Sequence, residues 1–192
     1  NLGWNVLMID FRAHGKSEGN LTSIGYFEAK DVKAAYDFIA KQGEKNIVLW
    51  GISLGAATIT KAISDYTTVQ PAKVILEMPF ATMLDATEGR VRMEGMPAEP
   101  ISALVTFWGG IELGLWAFSN KPQEYARKIN CPVLLQKGRL DIRVTDAEEQ
   151  TLFNNIPAAQ KKYVVYETAA HESLCKKEHD KWLQNVSSFL NN

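Results

Sequence analysis

One pentapeptide constrains this chain more than any other stretch: Gly51-Ile52-Ser53-Leu54-Gly55. The apolar run Ile47-Val48-Leu49-Trp50 enters it, and the small residues Ala56-Ala57-Thr58 leave it. It therefore reads as strand, sharp turn and helix, with one serine at the bend. Glycine on each side permits a strained turn, because side chains at both positions are expected to collide with strand and helix. Such a bend lifts the hydroxyl above the edge of a sheet. The backbone N–H groups that follow then lie at a helix N-terminus, where they and the helix dipole can stabilise an oxyanion. Alone, the pentapeptide also fits an ordinary glycine-rich turn with a serine cap, so the rest of the chain decides.

The rest of the chain has a regular rhythm. Asn5-Val6-Leu7-Met8-Ile9-Asp10 is nearly all apolar and predicts a strand buried on both faces, the mark of a parallel sheet. Phe11 to Gly19 follow as a loop. Val32, Ala35, Tyr36 and Ile39 then fall at helical spacing and predict an amphipathic helix ending near Gly43. After the serine turn come further strands at Lys73–Met78, stopped by Pro79, at Val133–Gln136 and at Tyr163–Tyr166. Thr145 with Glu148 predicts a capping box, and Trp182, Leu183, Val186, Phe189 and Leu190 form one face of a closing helix. Strands alternating with helical patterns imply right-handed βαβ units. Residues 80 to about 121 break the rhythm with methionines, aromatics and glycines, and are expected to form a lid of short helices and loops; ordinary core helix is the alternative.

A serine nucleophile needs a base to take its proton and an acid to orient the base. The chain has three histidines. His171 directly follows the last strand, at the sheet edge that presents Ser53. His14 follows the first predicted strand and can face the same edge. His179 lies in the closing helix and reads as a surface residue. Asp141, just beyond the strand ending at Gln136, is the candidate acid, and Glu77, at the end of another strand, is the reserve. A loop aspartate is more often a turn former or cap. Here Ser53, Asp141 and His171 fall on loops after three different strands, all at one edge.

At these residues the chain resembles the α/β-hydrolase superfamily. Asp10-Phe11-Arg12-Ala13-His14-Gly15-Lys16-Ser17 looks like the family's D-x-R-G-x-G-x-S loop, with Ala13 in place of the first glycine. Gly51–Gly55 matches its nucleophile elbow. Gly138-Arg139-Leu140-Asp141-Ile142-Arg143-Val144 looks like its G-x-x-D-x-x-V acid loop, and Ala170-His171-Glu172 resembles its histidine loop. The nearest subgroup looks like lidded serine hydrolases, among them bacterial esterases and prolyl-oligopeptidase-like relatives. The resemblance implies an α/β-hydrolase fold, a mostly parallel sheet flanked by helices, in one domain over 1–192 with residues 80–121 as lid. It implies Ser53 as nucleophile, His171 as general base, Asp141 as orienting acid and Leu54 as donor of one oxyanion-hole N–H, with His14 structural or lining the site.

One departure from the family pattern concerns the N-terminal strands. The family's first three strands, and the loop giving the second oxyanion donor, are expected before Asn5. The third would lie between Asn5–Asp10 and Ile47–Trp50, and a gap there leaves buried backbone groups unpaired. Three outcomes are expected to resolve it: a longer protein, a partner segment in the gap, or direct pairing of the two strands.

Composition bounds the function. The net charge of −1 gives no basis for binding nucleic acid or an anionic membrane, and no apolar stretch reaches the roughly 18 residues of a membrane span. Cys131 and Cys175 read as free thiols, with a single buried disulfide as the alternative. The scattered histidines offer no metal site, and no cofactor is expected. No leader is visible, and the expected compartment is the cytoplasm. The leading expectation is hydrolysis of a small-molecule carboxylic ester or thioester through an acyl-enzyme. A peptidase is the second expectation, and a non-catalytic binding module on the same scaffold the third.

Overall fold

A computed structural model describes residues 3–191. Its centre is a parallel four-stranded sheet in the order β1-β2-β3-β4, formed by Val48–Ile52, Lys73–Glu77, Val133–Gly138 and Lys161–Tyr166. β2 and β3 are almost wholly buried, which suits their runs of Val, Ile and Leu. The helices are α1 (Ala29–Lys41), α2 (Leu54–Asp65), α3 (Met83–Met93), α4 (Ile101–Leu113), α5 (Pro122–Tyr125), α6 (Asp146–Asn155), α7 (Leu174–Lys177) and α8 (His179–Asn191).

Two apolar layers sandwich the sheet. On one face Val74, Leu76, Val133 and Leu135 meet Val32 of α1, Ile59 of α2 and Leu152 of α6. On the other, Ile75, Leu134, Val164 and Tyr166 meet Leu174, Val186 and Leu190 of α7 and α8. The alternation of neighbouring residues between the layers is the two-residue period of a strand. Thr145 and Glu148 form the capping box at the start of α6. Lys73 donates from Nζ to the carbonyls of Phe189 and Leu190 at the C-terminal end of α8, at 2.9 Å each, which ties the last helix to β2.

The expected strand Asn5–Asp10 does not form. The segment carries no regular structure and its apolar side chains are exposed, Val6 by 76% and Met8 by 86%. A strand needs a ladder partner for its backbone groups. The neighbour on one side of β1 is β2, and on the other side β1 is an edge among the described residues. Direct pairing of Asn5–Asp10 with β1, one of the three expected outcomes, therefore does not occur. The loop that follows is firmly held. Arg12 grips Asp31 of α1 through Nε and Nη2 of its guanidinium, the closer at 2.7 Å, and through its backbone N–H. Ser17 donates to the Asp10 carbonyl at 2.8 Å. Gly15 sits at φ 55°, where a Cβ would lie 2.3 Å from the Asp10 carboxylate.

Residues 80–121 form α3 and α4 with a short 3-10 turn at Ala117–Ser119. No single helix among the described residues is long and apolar enough to cross a membrane. Cys131 and Cys175 are free thiols.

Ala13 adopts φ 58° in the same loop, a left-handed conformation that costs a non-glycine residue about 1 kcal/mol. Ala13→Gly is therefore expected to stabilise the protein by up to about 1 kcal/mol, net of the entropy glycine adds to the unfolded chain. Urea unfolding of the two proteins measures the difference.

Candidate active site

β1 ends at Ile52 and α2 begins at Leu54, so Ser53 alone makes the turn. It does so at φ 51° and ψ −112°, a backbone conformation that side-chain-bearing residues seldom adopt. Its N–H donates to the Glu77 carbonyl at the end of β2, at 2.7 Å. Gly51 is required here, since a Cβ would lie 2.4 Å from the Gly55 carbonyl carbon and 2.5 Å from the Ala56 nitrogen. Those are backbone atoms and cannot move aside. Gly55 differs from expectation: a Cβ there meets nothing within 4 Å, because that face of the first helical turn opens away from the strand.

The acid loop and the histidine loop follow the neighbouring strands β3 and β4 and are joined backbone to backbone. Arg139 N–H donates to the Tyr166 carbonyl at 2.7 Å, and Leu140 N–H to Ala169 at 2.9 Å. Gly138 allows this approach, since a Cβ would sit 2.4 Å from the Ala169 oxygen. The consequence is a continuous chain of hydrogen-bonding groups. His171 Nδ1 lies 2.7 Å from Asp141 Oδ2, and His171 Nε2 lies 2.9 Å from Ser53 Oγ. The carboxylate fixes the tautomer: Nδ1 carries the proton and donates to Asp141, leaving Nε2 to accept from the Ser53 hydroxyl.

The Asp141 side chain is fully buried. Burial alone would raise its pKa. The His171 hydrogen bond and the N–H groups of Val144 (3.0 Å) and Arg143 (2.8 Å) outweigh burial and hold the carboxyl below its ordinary value. The arrangement can take a proton from Ser53 and stabilise the resulting imidazolium, which is the chemistry of acyl transfer. Among the described residues no group of three or more His, Cys, Asp or Glu could hold a metal ion.

The other candidates lie elsewhere. His14 Nδ1 is 2.8 Å from the Arg12 carbonyl of its own loop. His179 opens α8, exposed, with Nδ1 3.6 Å from Cys175 Sγ. The Glu77 carboxylate does not meet His171. It lies on the side of the sheet covered by α8 and accepts from Trp50 Nε1 at 3.0 Å, Trp182 Nε1 at 3.1 Å and Gln136 Nε2 at 3.3 Å. Burial raises its pKa against the opposing effect of the two indole N–H groups. Sequence reasoning missed this cluster; the available signal was one acidic residue ending an otherwise apolar strand.

Comparison with known proteins gives the family of the chain. Residues 1–108, more than half of the chain, match the family model Hydrolase_4, described as serine aminopeptidase, S33. The chain belongs to this family. Its fold is that of the α/β-hydrolases. The esterase Pf2001 of Pyrococcus furiosus superposes with a TM-score of 0.76 at 26% identity, covering 99% of this chain and 71% of that one. The protein YqkD of Bacillus subtilis is 26% identical over the whole of this chain, and the lysophosphatidylserine lipase ABHD12 of Danio rerio is 27% identical over 70% of it. The chain spans 64% and 35% of those two relatives respectively.

The two elbow glycines of this α/β-hydrolase are expected to respond differently to a methyl group. Gly51→Ala should lose about 3 kcal/mol or more, since the clash is with backbone. Gly55→Ala should stay within about 1 kcal/mol of the parent. Thermal unfolding of the two variants against the parent distinguishes them.

Proposed function

We propose that this protein is a serine hydrolase that cleaves carboxylic ester or thioester bonds of small acyl substrates through an acyl-enzyme. The reading rests on one observation, the unbroken Ser53–His171–Asp141 chain at 2.9 and 2.7 Å. In the proposed reaction His171 Nε2 takes the Ser53 proton as Oγ attacks the substrate carbonyl. The Leu54 N–H, at the N-terminus of α2, donates to the developing oxyanion. The tetrahedral intermediate collapses, His171 returns the proton to the leaving alcohol or thiol, and the acyl group stays on Ser53. Water, deprotonated by His171, then attacks the acyl carbonyl, and the carboxylic acid and free serine are released. Asp141 remains ionised throughout and holds the imidazole in place.

Residues 80–121 are assigned as the lid, and α4 supports an apolar acyl substrate. That helix turns Ser102, Thr106 and Gly110 inward against the body of the protein. Leu104, Val105, Phe107, Trp108 and Ile111 face outward, Trp108 with 63% of its surface exposed. This inverts the usual amphipathic arrangement. The lid also touches the acid loop, where Arg92 of α3 donates to the carbonyls of Ile142 and Arg143 at 3.3 and 3.2 Å. The relatives named as a lipase and an esterase favour an acyl ester. Peptide hydrolysis is the second reading, favoured by the family's description as serine aminopeptidases.

4-Nitrophenyl esters of graded chain length test the proposal. Ser53→Ala should reduce turnover at least about 1,000-fold, and equal turnover by both proteins would remove the nucleophile assignment. A peptide nitroanilide hydrolysed faster than every ester would favour the peptidase. The double variant Leu104→Ser, Trp108→Ser should raise KM for the longest ester about tenfold and leave that for the acetyl ester unchanged, as loss of apolar contact predicts.

A further inference from the structure

The geometry points to Glu77 as a positioning residue for the nucleophile: its side chain, clamped between two indoles and an amide, fixes the carbonyl that holds the Ser53 N–H. This inference rests on the reading of Ser53 as nucleophile. Glu77 ends β2, in register with Ile52 of β1 on one side and Gln136 of β3 on the other. It is 2% exposed, and the strand leading to it is Val74-Ile75-Leu76. A carboxyl group in such a place is costly unless its bonds are worth having, and packing alone would be served by leucine.

Its side-chain bonds reach β1, β3 and α8 directly, and β4 through Gln136. Trp50 lies on β1, three residues before Ser53, and Trp182 on α8; their rings pack 5.4 Å apart, and both indole N–H groups end on Glu77 Oε1. Gln136 of β3 donates to the same oxygen and accepts from the Tyr166 hydroxyl of β4. On the main-chain side, the Glu77 carbonyl accepts the Ser53 N–H. The orientation of that carbonyl depends on the peptide that joins Glu77 to Met78, and Met78 itself sits at φ 50°. Two strained residues, Ser53 and Met78, thus meet at one peptide group, and strain of this kind persists only where the surroundings over-determine it. Part of that surrounding is the ladder, where Met78 N–H donates to the Gln136 carbonyl at 2.8 Å, and the three N–H donors on the Glu77 side chain are the rest. Without the side-chain donors only the ladder bonds hold this peptide, the carbonyl gains freedom to tilt, and the Ser53 hydroxyl shifts relative to His171 Nε2.

The test compares Glu77→Gln, which keeps a side-chain carbonyl acceptor, with Glu77→Leu, which keeps volume and removes it. The readouts are the second-order rate of Ser53 labelling by a fluorophosphonate, and kcat and KM for a 4-nitrophenyl ester. Both are taken at a temperature where circular dichroism shows each variant folded. Glu77→Leu is expected to slow labelling and kcat by about 10- to 100-fold with KM within about twofold, the cost of a misplaced reacting group. Glu77→Gln is expected within about threefold of the parent. A folded Glu77→Leu that labels at the parent rate overturns the inference, as does a Glu77→Gln that falls as far as Glu77→Leu. If Glu77→Leu does not fold, the double variant Trp50→Phe, Trp182→Phe removes both indole donors instead; loss of labelling rate supports the role and an unchanged rate overturns it. A parent protein whose Ser53 takes no label overturns the nucleophile reading itself, a result distinct from any failure of the variants.

Discussion

A single backbone hydrogen bond, from Ser53 N–H to the Glu77 carbonyl, carries the arrangement at the sheet edge. It pins the turn residue in a conformation that would otherwise relax, at an expected cost of about 1 to 3 kcal/mol. The rest of the local design accommodates it. Gly51 admits the first turn of α2 against the strand, and the parallel register puts the end of β2 level with the end of β1. The helix that follows begins at Leu54, directly after the serine. Strain, glycine and register therefore serve one outcome, a half-buried serine oxygen held at the end of the sheet.

The partners of that oxygen arrive by a second close approach. β3 and β4 pair over six residues, and the pairing continues past the strands because Gly138 lets the two loops touch. The loops then bring a buried carboxylate to an imidazole. Burial opposes the charge of Asp141, and the imidazole and two backbone N–H groups outweigh burial. The carboxylate is held at both oxygens, so the histidine it holds is fixed in tautomer and in direction.

Legibility in the sequence followed the range of the interactions. The four paired strands, α1, the capping box of α6 and the closing helix were readable because local pattern and tertiary role agree in them. That Ser53, Asp141 and His171 lie at one end of the sheet was readable because each sits in a short motif directly after a strand. Asn5–Asp10 was misread, since its apolar run meets the composition of a buried strand while the neighbour that would make it one is not beside it. The collision expected at Gly55 was also wrong: it depends on which way the helix leaves the turn, which the pentapeptide does not encode. The Glu77 cluster was hidden for a different reason. Trp50 and Trp182 are 132 residues apart, and nothing local links them.

The central claim is that Ser53, deprotonated by His171, forms a covalent acyl intermediate. Acid-quenching the protein during turnover of 4-nitrophenyl acetate, followed by peptide mass mapping, tests it directly. The account predicts one acetyl group on the peptide containing Ser53, absent from His171→Ala quenched in the same way. Steady turnover with no acetyl group on Ser53, or with the group on another residue, would contradict it.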